Sequence, residues 1–352
     1  MICSARALSR RAHHLVGVGM LALAAACAGD GSSIAAPSRD GTPTIPGSPD
    51  APSMAISTTT SNPIAGAAFW IDPYSNAKAT ANAWRISRPV DAAQMDKVAA
   101  QGTAKWIGNW NTNVQADVDA ATTAMSRNGA LPVFVAYNVP QRDCGGLSGG
   151  NTTTVAAYRS WIDGFANGIG ARRAIVVLEP DALAAMDCLT LVDQQLRIDL
   201  IKYAVQAFSA KGSIAVYIDA GHSRWKPAST MASRLARAGV AMAQGFSLNV
   251  SNFHTSASNV SYGTQLSALI GGKHFVIDTG RNGLGPTSTF QWCNPAGRAL
   301  GVRPTTATGN ALVDAYLWIK TPGESDGACN GAPKAGAWMP SYALGLAQRA
   351  AY

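Results

Sequence analysis

Residues 135–144 read Val-Ala-Tyr-Asn-Val-Pro-Gln-Arg-Asp-Cys, and this stretch decides how the chain folds. It closes an apolar run over residues 131–139 that is typical of a buried strand and that breaks at Pro140. Asp143 follows at once. A second apolar run, over residues 174–178, ends in the same way with Glu179-Pro-Asp181. Carboxylates at the ends of neighbouring strands are the groups that acid–base hydrolysis requires, so we expect the site here.

Short apolar runs and longer helical segments alternate along the chain from Pro63 onward. The runs predict eight strands, at residues 68–71, 104–107, 131–139, 174–178, 214–218, 246–250, 274–277 and 315–319. Helical spacing is clear at residues 116–127, 155–168, 189–211 and 227–238. This alternation favours a parallel sheet covered by helices. Eight strands in 352 − 62 = 290 residues predict an α/β fold, a single (β/α) barrel with its active site at the C-terminal mouth.

Polar residues follow every predicted strand. In a parallel barrel these positions meet at one mouth, where barrel enzymes hold their active sites. Asp or Asn after a strand also caps the next helix, and capping accounts for two or three such residues more easily than for eight. Burying several acids together raises the pKa of at least one, which then holds a proton at neutral pH. The acids that are candidates for catalysis are Asp143, Asp181, Asp219 and Asp326.

The composition excludes a disordered chain and gives no sign of a nucleic-acid partner. The chain is 47% hydrophobic and 14% charged, which is sufficient for a large core. Its net charge is +8, of which Arg6, Arg10 and Arg11 supply three, leaving 8 − 3 = +5 for the remainder. The sequence has no block of Lys and Arg of the kind that binds nucleic acid.

The first 27 residues have the pattern of an export signal. A basic start at residues 6–11 is followed by an apolar core at residues 15–26 that ends in small residues suited to cleavage. This core is too short to span a bilayer. Residues 28–62 are rich in Gly, Ser, Thr, Pro and Asp and predict a flexible tether. The barrel would then occupy residues 63–352 of a secreted or envelope-anchored protein, which we expect to be a monomer.

The cysteines divide between the signal and the barrel. Of the six cysteines, Cys3 falls within the signal and Cys27 lies at its end. Leu23-Ala-Ala-Ala-Cys27 resembles a bacterial lipoprotein cleavage site, although its aliphatic residue stands one place further out than usual. Two interpretations stay open, a lipid anchor on Cys27 or cleavage of an ordinary signal nearby. The other four form an even set suited to two disulfides in an oxidising compartment: Cys144, Cys188, Cys293 and Cys329.

Tryptophan is frequent in this chain, with nine Trp against eight Phe. An indole face stacks well on another flat apolar surface, such as the apolar face of a sugar ring. Trp84, Trp225 and Trp292 lie among Gly, Pro and polar residues, so we expect them to be exposed platforms for a carbohydrate. Trp106 and Trp318 lie inside predicted strands and are expected in the core.

Two other kinds of site find little support in the sequence. His222, His254 and His274 have no metal-ligand spacing to one another or to a cysteine, so no metal is expected. Gly146-Leu-Ser148-Gly-Gly150 matches the nucleophile elbow of serine hydrolases, with His222 downstream. That elbow needs a serine on a turn leading directly from a strand into a helix, whereas Pro, Arg, Asp, Cys and Gly residues intervene here. A serine esterase is therefore a minor alternative.

The ordered motifs of the chain resemble those of the cellulases of glycoside hydrolase family six. The resemblance implies a distorted barrel of the TIM type and inverting hydrolysis of β-1,4-glucan with no metal and no cofactor. The motifs occur in the family's order over residues 62–352. They are Tyr137-Asn-Val-Pro-Gln-Arg-Asp-Cys144, Leu178-Glu-Pro-Asp181, Asp219-Ala-Gly-His-Ser-Arg-Trp225, Asn249-Val-Ser-Asn252, Asp278-Thr-Gly-Arg-Asn-Gly283, Trp292-Cys-Asn-Pro295 and Trp318-Ile-Lys-Thr-Pro-Gly-Glu-Ser-Asp-Gly327.

The resemblance also implies roles for single residues. Asp181 would be the general acid, Asp143 would raise its pKa and guide the water, and Tyr137 would favour a distorted sugar ring. Asp326 matches the proposed general base, but Arg281 matches its ion-pair partner, and a carboxylate paired with a cation is a weak base. The family pairs its cysteines as Cys144–Cys188 and Cys293–Cys329. The remaining substrate contacts would be Trp84, Trp225, Trp292, Asp219, His222, Asn249, Asn252, Lys320, Glu324 and Ser148.

The chain departs from the family pattern at two loops. The loop after Asp143 is one residue shorter than usual, so Ser148 is the nearest equivalent of the family's water-holding serine. Eleven residues separate Asp326 from Trp338, where processive members carry a long roof. A short roof predicts an open groove, and therefore an endoglucanase rather than a cellobiohydrolase, acting on a β-1,4-glucan chain. A non-catalytic glucan-binding protein is the alternative from another class, but the three acids that catalysis needs are present.

Overall fold

The computed structural model describes residues 61–149 and 153–352. The predicted signal, Cys27 and all but the last two residues of the predicted tether lie outside the described residues. The described chain contains strands β1 (Lys105–Gly108), β2 (Val133–Tyr137), β3 (Ala174–Leu178), β4 (Ile214–Asp219), β5 (Gly245–Leu248), β6 (His274–Asp278) and β7 (Val313–Leu317). Its helices are α1 (Asn76–Trp84), α2 (Pro89–Ala99), α3 (Val114–Met125), α4 (Val155–Ile169), α5 (Leu191–Ser209), α6 (Ala228–Arg237), α7 (Ser256–Leu269) and α8 (Pro340–Gln348).

The seven strands of this part of the chain form one curled sheet in sequence order, and every neighbouring pair is parallel. Its edge strands β1 and β7 meet through single hydrogen bonds. The N–H of Ala104 donates to the carbonyl of Trp318 at 3.0 Å, and the indole N–H of Trp106 donates to the carbonyl of Ile319 at 2.9 Å. The result is the distorted α/β barrel that the sequence predicted.

The first of the eight predicted strands, at residues 68–71, is wrong. Phe69 makes one isolated bridge with Leu131, and the N–H of Leu131 donates to the carbonyl of Ala68 at 2.7 Å. Pro73 follows shortly, has no amide hydrogen to extend a ladder, and begins the turn toward α1. Phe69 packs against the barrel interior. The apolar run therefore contributes to the core without adding a strand to the sheet.

Both faces of the sheet are buried, which explains why its strands appear in the sequence as continuous apolar runs. Ile175 of β3 packs in the barrel interior, while its neighbour Val176 packs outward against the helices. On that outer side Phe134 of β2 meets Phe165 of α4 edge to face, with ring centroids 5.7 Å apart. This packing fixes the strand ends, and with them the loops that carry the acids.

Candidate active site

A cleft of about 1200 Å³ opens at the carboxyl ends of the strands. The loops that follow β2, β3 and β7 bring three acids to its wall, Asp143, Asp181 and Asp326. Helix capping does not explain them, because the N-caps of α1 to α8 are Ser, Arg, Asn, Thr, Pro and Met residues. The convergence of these acids instead supports a chemical role.

Asp181 is influenced by every other acid of this group. It lies in the cleft wall with left-handed backbone (φ 69°), a strained conformation for a residue with a side chain. Burial raises the pKa of Asp181 well above its ordinary value. The negative charges of Asp219, Asp143 and Asp326 raise it further. Both effects favour the protonated form of the carboxyl group, which is the form that a general acid needs.

Asp219 supports Asp181 from behind, and the prediction that it lines the cleft is wrong. Its carboxylate is 1% exposed and accepts hydrogen bonds from the backbone N–H groups of Asp181 (2.9 Å) and Gly221 (3.0 Å). The hydroxyl of Ser247 donates to it as well, at 3.1 Å. Burial raises the pKa of Asp219 to about 7. Because Asp219 is the last residue of β4 itself, its side chain stays within the core.

Asp143 is held in a short 3-10 turn that begins at Arg142. Its Oδ2 atom accepts a hydrogen bond from the backbone N–H of Ser148 at 2.7 Å. Arg142 closes the same loop by donating to the carbonyls of Tyr137 (2.6 Å) and Ser148 (2.9 Å). Position 146 requires glycine, because a Cβ on Gly146 would lie 2.7 Å from Oδ2 of Asp143. The sequence around Asp143 thus fixes where its carboxylate points.

Two disulfides hold the loops at the mouth of the barrel, and they are the pairs that the family resemblance implied. Cys144–Cys188 joins the loop of Asp143 to the segment that follows Asp181. Cys293–Cys329 joins the long loop after β6 to the segment that follows Asp326. Each of the three acids in the cleft wall is therefore close in sequence to a covalent cross-link.

Tyr137 ends β2 and lies in the cleft wall beside these acids. Its ring meets that of Trp106 edge to face at 5.2 Å, and the guanidinium carbon of Arg142 lies 4.3 Å from its centroid. Burial raises the pKa of the Tyr137 hydroxyl, and the charge of Asp181 raises it further. The hydroxyl therefore stays neutral and can donate to a sugar or to water.

Asp326 forms a buried ion pair with Arg281. Its two oxygens each lie 2.9 Å from a guanidinium nitrogen of Arg281, and the backbone N–H of Asn294 donates to Oδ2 at 2.9 Å. Asp326 is 7% exposed and Arg281 is 1% exposed. The carboxylate of Asp326 is therefore held in one orientation by the guanidinium group and by a backbone N–H.

The cleft brings together most of the predicted substrate contacts. Lys320 donates from Nζ to the carbonyl of Ser325 at 3.2 Å and lies 3.4 Å from Glu324, so both side chains are oriented before a ligand binds. Trp292 is 51% exposed, as its sequence context predicted. The predicted contacts that line the cleft are Ser148, His222, Trp225, Asn252, Trp292, Lys320 and Glu324.

Besides Asp219, two predicted contacts lie away from the cleft wall. Trp84 ends α1, packs against the cluster that includes α8, and is covered by the guanidinium carbon of Arg88 at 4.0 Å from its ring centroid. Asn249 is fully buried and donates from Nδ2 to the carbonyl of Asp278 at 2.8 Å. Its amide side chain shapes the turn after β5 instead of facing a ligand.

Sequence reasoning did not select several aromatic side chains that line the cleft. Trp106 was expected in the core, but it lies on the edge strand β1, and its indole reaches the cleft. Trp318 is 1% exposed, and the expectation of a core position is confirmed. For Trp110, the sequence did offer a signal of exposure, because this residue lies between two polar residues, Asn109 and Asn111. The further lining residues with rings are Trp70, Trp110, His254, Phe290 and Trp338.

A stack of rings forms one side of the cleft. The imidazoles of His222 and His254 lie 4.2 Å apart, and Trp225 lies 5.3 Å from His222. Burial is the main cause that lowers the pKa of His222 to about 3, and the neighbouring charges of His254 and Arg224 make smaller contributions to the same shift. His222 is therefore neutral across the physiological range. A neutral stack of this kind presents flat surfaces and single hydrogen-bonding nitrogens to a polar, uncharged ligand.

The serine-hydrolase alternative is wrong. Ser148 lies in the loop closed by Arg142, several residues beyond the end of β2, and its backbone N–H serves Asp143. His222 stacks on His254, and its Nδ1 accepts the backbone N–H of Arg224 at 3.3 Å. The strand–serine–helix turn that this chemistry needs is absent from residues 131–149. Within the described ranges, no group of three or more His, Cys, Asp and Glu side chains is placed to hold a metal ion.

A parallel barrel whose mouth holds an acid with a raised pKa among further carboxylates, in an aromatic cleft, is the architecture of a glycoside hydrolase. The profile of the glycosyl hydrolases family 6 matches residues 64–350. The chain belongs to this family.

Two endoglucanases are among the proteins whose sequences are similar to this chain. Endoglucanase A from Cellulomonas fimi is 44% identical over 285 residues, which cover 80% of this chain and 61% of that protein. Endoglucanase A from Thermobispora bispora is 42% identical over 292 residues, which cover 80% of this chain and 62% of that protein. The chain thus spans about three fifths of the length of these relatives.

The fold also matches a solved structure. Endoglucanase Cel6 from Mycobacterium tuberculosis, in complex with methyl-cellobiosyl-4-deoxy-4-thio-β-D-cellobioside, is 47% identical to this chain with a TM-score of 0.78. The match covers 82% of this chain and 99% of that one.

Proposed function

We propose that this chain is an inverting endo-β-1,4-glucanase that cuts internal bonds of cellulose or a related β-glucan. The observation that carries the proposal is the position of Asp181, which lies in an aromatic cleft beside the acids Asp143 and Asp326, whose negative charges raise its pKa. Family membership and the endoglucanases described above support the same reaction.

In the proposed reaction, the carboxyl group of Asp181 donates its proton to the glycosidic oxygen as the bond from that oxygen to C1 breaks. A water molecule attacks C1 from the opposite face of the ring, so the new bond has the inverted configuration. The proton released by the water passes through further water to the carboxylate of Asp143, which Ser148 holds in place. Tyr137 contacts the sugar at the cleavage point and favours a distorted ring. Asp143 then releases its proton to solvent, and solvent restores the proton on Asp181.

Asp326 is the alternative base in this mechanism. Its ion pair with Arg281 favours a different role, in which its fixed negative charge stabilises the positive charge that develops at C1. The platform residues Trp225 and Trp292 and the polar side chains Lys320 and Glu324 would bind the glucan on either side.

The short segment after Asp326 supports internal cutting. The N–H of Ser325 donates to the carbonyl of Ala337, and the N–H of Gly336 donates to the carbonyl of Ser325, both at 2.9 Å. Glu324 also forms a bridge with Trp338. The segment therefore folds back onto the residues at its start. This conformation favours an open groove that accepts the middle of a glucan chain. A processive cellobiohydrolase is the alternative within the family.

The product profile on soluble carboxymethylcellulose tests the proposal. An endoglucanase lowers the viscosity rapidly while few reducing ends appear, because each internal cut shortens the chains strongly. A slow fall in viscosity with abundant cellobiose would instead favour the cellobiohydrolase. Proton NMR of the first products of a cello-oligosaccharide tests the stereochemistry, since inversion yields the α-anomer first and retention yields the β-anomer.

We also propose that the protein is exported by residues 1–27, that residues 28–62 are a tether, and that the barrel works as a monomer outside the cytoplasm. The two disulfides support an oxidising compartment. None of the described helices is long and apolar enough to cross a membrane. Anchoring through Cys27 is tested by mass spectrometry of the mature protein, which distinguishes a diacylglyceryl cysteine at the new N-terminus from an unmodified end.

A further inference from the structure

Two buried charged side chains that the proposed mechanism does not use lie beneath the loops of Asp143 and Asp181. Glu179 is 1% exposed and Arg197 is 3% exposed. Charged side chains are almost never fully buried unless other groups compensate their charge. In this barrel, the compensating groups are the backbone atoms of the two loops that carry the acids.

Glu179 fixes the backbone that leads from β2 to Asp143. Its two carboxylate oxygens accept the N–H of Asn138 at 3.0 Å each, and Oε2 also accepts the N–H of Val139 at 3.0 Å. The N–H of Glu179 itself donates to the carbonyl of Ala136 at 2.8 Å. Since Glu179 stands two residues before Asp181, it connects the start of one acid's loop to that of the other.

Arg197 connects the same two loops from the side of α5. One guanidinium nitrogen donates to the carbonyl of Ala182, the residue after Asp181, at 3.0 Å. The other donates to the carbonyls of Pro140 at 2.8 Å and Gln141 at 3.0 Å, just before Asp143. A rigid planar fork of donors is suited to holding two segments at a fixed distance, which a lysine cannot do.

The loop that Arg197 holds has a conformation that it would not keep alone. Gln141 (φ 55°) and Asp143 (φ 54°) both have left-handed backbone although neither is glycine. Such conformations persist only where the surrounding structure enforces them. We propose that Glu179 and Arg197 are positioning residues that hold Asp143 at a fixed separation from Asp181. This inference rests on the proposed function, in which Asp181 is the acid.

The test is the pH dependence of kcat on soluble carboxymethylcellulose for Arg197→Met and Arg197→Lys. When Asp143 moves away, its negative charge raises the pKa of Asp181 less, so the acid loses its proton at a lower pH. We expect the alkaline limb of the profile to shift to lower pH and kcat to fall about 10–100-fold in Arg197→Met, with KM little changed. Arg197→Lys keeps the charge near Glu179 and should show a smaller shift.

Arg234→Met is the matched control. Arg234 is also buried and donates to the carbonyls of Leu183 (2.7 Å) and Ala184 (3.3 Å), so it holds the segment after Asp181 without reaching the loop of Asp143. Its loss should lower stability and leave the alkaline limb where it is in the wild type. Glu179→Gln supplies a second probe if Arg197→Met does not fold, and the same direction of shift is expected from it.

The outcomes separate this inference from the proposed function. A wild-type alkaline limb in Arg197→Lys and Glu179→Gln would overturn the inference, even if kcat were lower. If Asp181→Asn is inactive in that case, the proposed function stands and only the positioning role is lost. Full turnover by Asp181→Asn would remove the proposed function itself.

Discussion

The amino and carboxyl ends of the barrel both bury aspartates, but they surround them with different partners. At the amino end, Asp314 of β7 is fully buried and lies 2.7 Å from Nδ1 of His274. The hydroxyl of Tyr217 (2.7 Å) and the side-chain amide of Gln244 (3.0 Å) donate to its other oxygen. At the carboxyl end, burial is the largest cause of the raised pKa of Asp181, and the nearby groups that raise it further are carboxylates.

This difference separates a structural acid from a reactive one. Partners from three neighbouring segments satisfy the carboxylate of Asp314, which ties β4, β6 and β7 together. Asp181 is placed where burial and neighbouring negative charges raise its pKa, and in the proposed mechanism it gives its proton to the substrate. Under this proposal the same residue type supports the fold at one end and the chemistry at the other.

The largest expected effect comes from removing the proton donor. Asp181→Asn keeps the shape of the side chain but has no acidic proton, so kcat should fall about 10²–10⁴-fold on unsubstituted glucan. Stability should stay the same or rise, because the variant cannot place a further charge among the acids. Steady-state kinetics and thermal unfolding measure both. Asp199→Asn on the exposed face of α5 is the control, and wild-type turnover by Asp181→Asn would contradict the assignment.

At the amino end, the expected loss is in stability. Asp314→Ala leaves His274, Tyr217 and Gln244 without their buried acceptor, so the free energy of unfolding should fall by about 3–5 kcal/mol. Urea unfolding followed by fluorescence measures it, and Asp199→Ala should change it by less than about 0.5 kcal/mol. The folded fraction should keep wild-type kcat. A fall in kcat per folded molecule would show that the two ends are coupled.

The pH dependence of stability should come from the carboxyl end. Burial raises the pKa of Glu179 and of Asp219 to about 7 in the folded protein, whereas an unfolded carboxyl group titrates near its ordinary value of about 4. The folded state therefore binds more protons between these values, and its extra stability is lost as the pH rises through 7. We expect the free energy of unfolding to be about 1–3 kcal/mol lower at pH 7.5 than at pH 5. Asp219→Asn should flatten this slope, and an unchanged slope would contradict the buried-acid explanation.

The smallest effect is expected at the rim of the cleft. Trp292→Ala removes an exposed platform and should raise KM for cello-oligosaccharides about 2–10-fold, with little change in kcat. Trp292→Phe keeps a ring for stacking and should restore most of the affinity. Initial-rate measurements of KM for the two variants test this prediction. An unchanged KM in Trp292→Ala would show that Trp292 does not contact the bound glucan.

The sequence predicted the barrel because the strands β2 to β7 are buried on both faces and therefore consist largely of apolar residues. The sequence did not reveal that residues 68–71 form only an isolated bridge and no strand. Their apolar run resembles that of a true strand, and only the three-dimensional structure shows that the chain turns away at Pro73. Sequence motifs also placed Asp143, Asp181 and Asp326 together. The motifs did not distinguish Asp219, which holds the backbone of Asp181 from the core, from the residues that face the cleft. That difference depends on whether an acid is the last residue of its strand or lies beyond the strand's end.

The left-handed backbone at Gln141, Asp143, Glu179 and Asp181 has a consequence for engineering. A search for thermostable variants will favour glycine or asparagine at such positions, because these residues adopt positive φ with less strain. Here those gains would loosen the loops on which turnover depends. Substitutions that raise the thermal stability of this enzyme are therefore better made in the outer helices, far from the mouth of the barrel.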